Sequence, residues 1–519
     1  MRPNQTYHSI QIIILLLGLS IFWGSVVIYT GCTNQRENSS GSVSKTGKEL
    51  SDLYCGSCHL PVSANMLDKE TWLNRVLPVM APKLGINVWR GNKYYPTGSS
   101  GETTVSFAEW TKIVNYFERE APEILHSADR PMPLVERGDL FTVQKPSVND
   151  TIPAATTMVN IDSQSGFIYT SDANENALLQ WDDDLQATTV LSMASPAVNL
   201  HFLGDSDSSR EAVLTNIGTM IADDIYRGVV QQVNLSTGKA DTVKVIDSGL
   251  NRPLRALPAD MNQDGRDDWI ICAFGHEHGG LYLYTQNQDQ TYTRETIRGV
   301  PGAEDLVIED VNSDGWPDLM VLFGYDNEGI WLFLNDREGG FTMDNLMRFP
   351  PVYGVTSFEW TDINGDGQKD IILTNGDNAD YSPVLKPYHG LRIYLGNGEM
   401  QFEESYFYPL NGTTQALVKD FDSDGDKDIA TISFFADFEA NPSESFVLFE
   451  NSGDLEFQPQ SIPVSQHGRW ITMDAGDIDG DGDQDIVLGN FSRKFMSAFE
   501  VNATWDTQTP FILLENNTR

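Results

Sequence analysis

One acidic frame returns five times along this chain: Asp-x-Asn/Asp-x-Asp-Gly-x-x-Asp, starting at Asp260, Asp310, Asp362, Asp420 and Asp477. Side-chain oxygens at positions 1, 3 and 5, a backbone carbonyl at 7 and a carboxylate at 9 are spaced to surround one hard cation, so the frame predicts calcium. The ligand sets are Asp260, Asn262, Asp264 and Asp268; Asp310, Asn312, Asp314 and Asp318; Asp362, Asn364, Asp366 and Asp370; Asp420, Asp422, Asp424 and Asp428; and Asp477, Asp479, Asp481 and Asp485. Position 6 is glycine every time, where the chain must turn sharply and a missing Cβ makes the turn cheap. An EF-hand would need a bidentate Glu at position 12. That position holds Ile271, Val321, Leu373, Thr431 and Leu488, which excludes it.

The residues after each frame are short branched or aromatic runs, such as Ile270 to Phe274 and Leu319 to Phe323, followed later by a second run, such as Leu281 to Tyr284 and Ile330 to Phe333. Such runs read as strands. Frame starts lie 50, 52, 58 and 57 residues apart, a period that suits a four-stranded propeller blade. Two eroded units precede them, at Gly166 to Ser171 with Asn160 and Asp162, and at Glu211 to Asn216 with Asp205 and Asp207. The expectation is a seven-bladed ring. Its last blade stops at a third strand, Phe511 to Leu514, and Leu140 to Val143 is the segment placed to supply the fourth and remove the open sheet edge.

These units resemble the FG-GAP/VCBS repeats of integrin alpha-subunit propellers, down to the pairs Phe274-Gly275 and Phe323-Gly324, over roughly residues 135 to 519. The resemblance implies a seven-bladed propeller with calcium in the loops between first and second strands. It implies no single activity, since propellers host binding and catalysis alike. Calcium that staples each blade is the simplest role for such loops.

Upstream, Cys55-Gly-Ser-Cys58-His59 is the attachment pattern of a c-type haem. Two thiols at this spacing add to the haem vinyls while the adjacent imidazole ligates iron. No second cysteine pair exists to complete a zinc site. Met80 and Met66 are the candidates for a sixth ligand, and Met80 closes the helical stretch Thr71 to Met80. Trp110, Ile113, Val114 and Phe117 stand at helical spacing and read as the core stripe of a terminal helix. Residues 48 to 126 resemble a monohaem cytochrome c. The expected fold is thus mainly β: a seven-bladed calcium-binding propeller over 129–519, preceded by a small all-α cytochrome c domain over 48–128.

Residues 10 to 29 are apolar and Thr30-Gly31-Cys32 follows. A small residue before Cys marks a bacterial lipoprotein leader over 1–32 with Cys32 lipidated, although Tyr29 departs from the usual pattern and the segment is long enough to be a retained anchor. Residues 33–47 read as a tether. Either anchor places the protein outside the cytoplasm, on the periplasmic side or cell surface. The formal charge of −40 argues against nucleic acid as a partner.

The face opposite the acidic loops collects the unusual loops. His276 and His278 lie in one, and Asp377, Lys386 and His389 in a long insertion. They are candidate catalytic residues, His389 or Asp377 as a general base, with ordinary polar loops as the plain alternative. Three functions follow: a membrane-tethered haem c electron carrier whose propeller docks a redox partner or glycan; a propeller oxidoreductase passing electrons from a sugar or alcohol to the haem; and an adhesion module.

Overall fold

The computed structural model describes residues 45–96, 104–148, 151–204, 210–379, 381–494 and 502–519. Cys32, the apolar segment 10–29, Asp205 and Asp207 lie outside them. Among the described residues no helix is long and apolar enough to cross a membrane.

Seven sheets follow one another in a ring, each with four antiparallel strands and the sixth with a fifth strand added in parallel. Their inner strands are Thr156–Asp162, Ala197–Leu203, Pro253–Ala259, Ala303–Glu309, Val355–Thr361, Thr413–Lys419 and Trp470–Gly476. We number the blades one to seven in that order. The second strands of blades three to seven, Asp268–Ala273, Asp318–Phe323, Asp370–Asn375, Asp428–Ser433 and Asp485–Asn490, are buried at every residue. Neighbouring blades cover both faces of each such strand, which is why the runs are continuously apolar rather than alternating.

The ring closes as the strand pattern requires. Phe141–Gln144 pairs antiparallel with Phe511–Asn516, matching Leu513 to Gln144 and Asn516 to Phe141. Leu140 and Phe141 enter a core cluster with Trp470, Ile486 and Ile512. Just before this strand, Val135–Glu136 pairs parallel with the outer edge of blade six, and Arg130 and Arg137 form ion pairs with Glu444 and Glu450.

Blade one does without an acidic loop. In blade one the first two strands are joined by only residues 163–166, and Asp162 accepts the guanidinium of Arg210 from blade two at 2.7 Å. An arginine therefore supplies the positive charge at this corner.

The segment before the propeller is helical. Gly47–Tyr54 and Phe107–Glu120 both begin with a capping box, Thr46 with Glu49 and Ser106 with Glu109. Trp110, Ile113 and Phe117 are buried, as their spacing predicts. Two features depart from expectation. A two-stranded sheet, Asn87–Trp89 with Lys93–Tyr95, makes the segment not purely α. The helix around Met80 continues to Lys83, and Trp72–Val76 winds as a π-turn just before Pro78. Proline has no N–H to offer the preceding turn, and the wider turn absorbs that loss.

Replacing Phe141 by Ala should cost about 3–5 kcal/mol and leave the edge of Phe511–Asn516 open to other chains. Denaturant titration and light scattering read the two effects.

Candidate functional site

The five acidic loops connect first to second strands, all at one end of the ring. In each, the carboxylate at position 1 accepts the N–H of the position-6 glycine at 2.7–3.1 Å. Those glycines have φ between 82° and 103°, a region closed to most side chains. Position 4 is also left-handed, at Gln263, Ser313, Gly365, Ser423 and Gly480. The sequence pattern leaves this position unspecified, so nothing at the residue level announces it.

Position 9 is a backbone anchor. Asp268, Asp318, Asp370, Asp428 and Asp485 are at most 1% exposed. Each carboxylate accepts the N–H of position 2 with one oxygen, as Phe421 gives to Asp428 at 2.8 Å. The other oxygen takes an N–H near the end of the third strand, as Asn451 gives to Asp428 at 2.8 Å. Burial pushes all five carboxyls above their ordinary range, Asp428 to about 7 and Asp485 to about 6.

The predicted ligand sets are gathered unequally. Carboxylate oxygens of Asp420, Asp422 and Asp424 lie within 4.8 Å of one another, as do those of Asp477, Asp479 and Asp485. In blades three and four the position-5 carboxylates instead turn to arginines, Asp264 to Arg266 and Asp314 to Arg337, the latter at 2.6 Å. In blade five Asp366 accepts the side-chain amide of Asn364 at 3.0 Å.

At the other end of the ring, His276 lines the mouth of a central cavity and lies beside Tyr325, ring centroids 5.9 Å apart. The next loop residues are fixed by Asp224. Burial alone would raise its carboxyl, but the N–H groups of His278 and Glu277 and the Asn251 amide hold it down to about 2. His278 is largely exposed, so the two histidines do not share a pocket.

The insertion of blade five turns out to be a docking platform. Its Tyr388 donates a hydrogen bond from Oη to the carbonyl of Met66 in the helical segment at 2.9 Å. Val352, Val384 and Tyr388 join the helical core that contains Trp72, Trp110 and Phe117. Tyr388 stacks on Tyr353, and Tyr353 on Phe349, at centroid distances of 5.2 and 5.6 Å. From blade three, Glu277 adds an ion pair to Lys83 at 2.9 Å. The helical segment thus rests on the face opposite the acidic loops.

This packing removes two catalytic candidates from reach of a ligand. Lys386 is 2% exposed and donates to Ser382 O at 2.8 Å and to Asn378 Oδ1, which latches the insertion. His389 is 1% exposed, and burial, reinforced by nearby Lys386, pushes its imidazole well below the ordinary range. Asp377 alone of this group lines the cavity, its carboxylate held by the N–H of Ala379 at 2.7 Å. At the front of the helical segment, Cys55 and Cys58 are unpaired thiols at the two ends of one 3-10 turn. His59 Nδ1 lies 2.8 Å from the carbonyl of Leu60. Met66 and Met80 both pack on the helical core.

With this geometry in place, three stretches of the chain, 260–321, 310–373 and 420–488, match the FG-GAP-like repeat. The class is therefore a seven-bladed β-propeller built with FG-GAP-like repeats. No curated protein matches the chain. Among solved structures it is similar to an ancestral GH74 enzyme, at 9% identity and TM-score 0.45, over 72% of this chain and 51% of that one. The chain thus spans about half the length of that enzyme. It is also similar to a Lactobacillus plantarum protein, at 13% identity and TM-score 0.41, over 60% of this chain and 88% of that one.

A buried neutral histidine fixes a sign for pH dependence. Its folded pKa is depressed, so below about pH 6.5 the unfolded chain binds the extra proton and stability falls with pH. His389→Leu should flatten this slope relative to the parent between pH 5 and 7, measured as the change in Tm of each.

Proposed function

We propose that the protein is a haem c electron carrier working outside the cytoplasm, tethered through Cys32 or an uncleaved 10–29 segment, with a calcium-stapled propeller that presents the haem segment to a redox partner or glycan. The observation that carries this reading is the attachment pattern set in a helical segment docked on the propeller. Cys55 and Cys58 supply the two thiols, and a His59 Nδ1–H given to Leu60 O leaves Nε2 as the lone-pair nitrogen for a metal. Buried Tyr94 Oη and Trp110 Nε1 have no hydrogen-bond partner among the described residues, and their rings meet edge to face at 5.3 Å. Two orphaned donors in one small core fit a group that brings its own carboxylates. Haem c, when bound, supplies a one-electron couple.

Of the two methionines, Met66 has its backbone engaged by Tyr388 at the docking contact. Met80 stands on the helix after the π-turn and is the one assigned to the iron. The acidic excess belongs to the propeller, since residues 45–127 carry nine basic and nine acidic side chains. A partner approaching the helical segment meets a balanced surface on a polyanionic body, which favours basic partners by long-range attraction.

In the loops, calcium would neutralise the gathered carboxylates, and blades six and seven are the best prepared. A cation bound only by the folded chain stabilises it by about 2.7 kcal/mol at a hundredfold excess over Kd. Chelation should therefore lower Tm. Asp422→Asn or Asp479→Asn should reduce that response more than Asn262→Ala does.

Expression in a host that matures c-type cytochromes decides the haem assignment. The expected product keeps haem through denaturing electrophoresis, loses it in Cys58→Ala, and shifts its reduction potential in Met80→Ala but not in Met66→Leu. A product without covalent haem would sink the reading. The oxidoreductase alternative draws support from one contact, since Glu277 meets Lys83 next to His276 at the cavity mouth. Anaerobic addition of sugars or alcohols should leave a pure carrier oxidised.

A further inference from the structure

The middle of the ring encloses a cavity of about 860 Å³, within the size of pockets that hold organic ligands. Its walls follow from a backbone device repeated seven times. In every blade the register between inner and second strands slips by one residue beside the second position of the inner strand. A bulge re-aims the side chains around it. In blades two to seven the first and fourth residues are buried while the second, third and fifth are half-buried. The same positions line the cavity in all seven blades save for the fifth residue of blade three.

The residues delivered there include four carboxylates, Glu304, Asp305, Glu359 and Asp474, and the amides Asn160 and Asn199. Arg255 is matched by Asp305 at 3.1 Å. Glu359 has no hydrogen bond to its carboxylate among the described contacts, and the Asp474 carboxylate accepts the backbone N–H groups of Ile161, at 2.7 Å, and Ala475. The amide oxygens of Asn160 and Asn199 are buried without a donor among the described residues. Buried acceptors in this condition are costly unless something donates to them. Burial beside Asp305 and Asp474 also pushes the Glu359 carboxyl up to about 7. At the mouth the lining changes to rings, with Phe274 and Tyr325 6.0 Å apart and Phe434 and Phe435 5.0 Å apart.

We infer that this funnel is a binding site for a saccharide of neutral or positive charge. Ring hydroxyls donate to the orphaned amide oxygens and to the carboxylates below, and the apolar faces of the sugar lie against the half-buried rings of Phe274 and Tyr325 above. Asp305, Glu359, Asp377 and Asp474 against Arg252 and Arg255 leave the lining negative, so an anionic sugar is refused. The inference uses no residue of the haem assignment and stands whether or not the helical segment carries haem.

The test titrates the full chain with glucose, glucosamine and glucuronate, one ring in three charge states, by saturation-transfer NMR and by the fluorescence of Trp360, which lines the cavity. Glucose and glucosamine should bind at millimolar concentration and glucuronate should not. The pair Glu359→Gln and Asp474→Asn should weaken binding about tenfold, the loss of one or two hydrogen bonds to charged acceptors, with Tm unchanged or raised because buried charge is removed. Absence of binding by both neutral and cationic rings, equal binding of glucuronate, or unchanged binding in the double variant would each overturn the site.

Discussion

Five buried aspartates hold this ring together. Each stands where an acidic loop becomes a second strand and binds, with one carboxylate, the backbone of its own loop and the backbone of the third strand. The loop is thereby fixed before any cation is considered. Further bonds then pass from blade to blade: Asn335 of blade four reaches Met261 O at 2.9 Å, Asn516 of blade seven reaches Phe421 O at 2.7 Å, and Lys427 of blade six reaches Asp362 O at 2.9 Å. A carboxylate buried this way is uncomfortable without positive charge nearby. Blade one meets that need with Arg210, whose guanidinium pairs with Asp162.

The opposite end of the ring is devoted to the helical segment. One long insertion, latched internally by Lys386, offers Tyr388 and Val384 to a core that would otherwise be too small to stand well alone. The two parts form one packed body, so the helical segment is held at a fixed place on the blade-five insertion.

Much of this was legible in the residues. Ligand spacing is a local property, so the five loops, their strands, the blade count and the closing strand at Leu140 to Val143 all follow from sequence position. The insertion was harder to read, because polar residues look alike whether water or another domain covers them. Lys386 and His389 looked catalytic for that reason, and the contrary signal lay in the apolar Val384 just before them and Tyr388 between them. The seven bulges leave no trace at all, since Thr157, Val198, Leu254 and Glu304 share no chemistry. They are a backbone solution to curving inner strands around a channel.

Closure has a consequence for the order of assembly. The closing strand, Phe141–Gln144, precedes every blade in the chain, while its partner, Phe511–Asn516, is synthesised hundreds of residues later. Contacts so distant in sequence are slow to form and expose unpaired edges while they wait. Here the earlier half of the pair already exists when the later half emerges. The closing strand therefore waits unpaired until the last blade emerges, and the ring has an open edge for the whole of that interval.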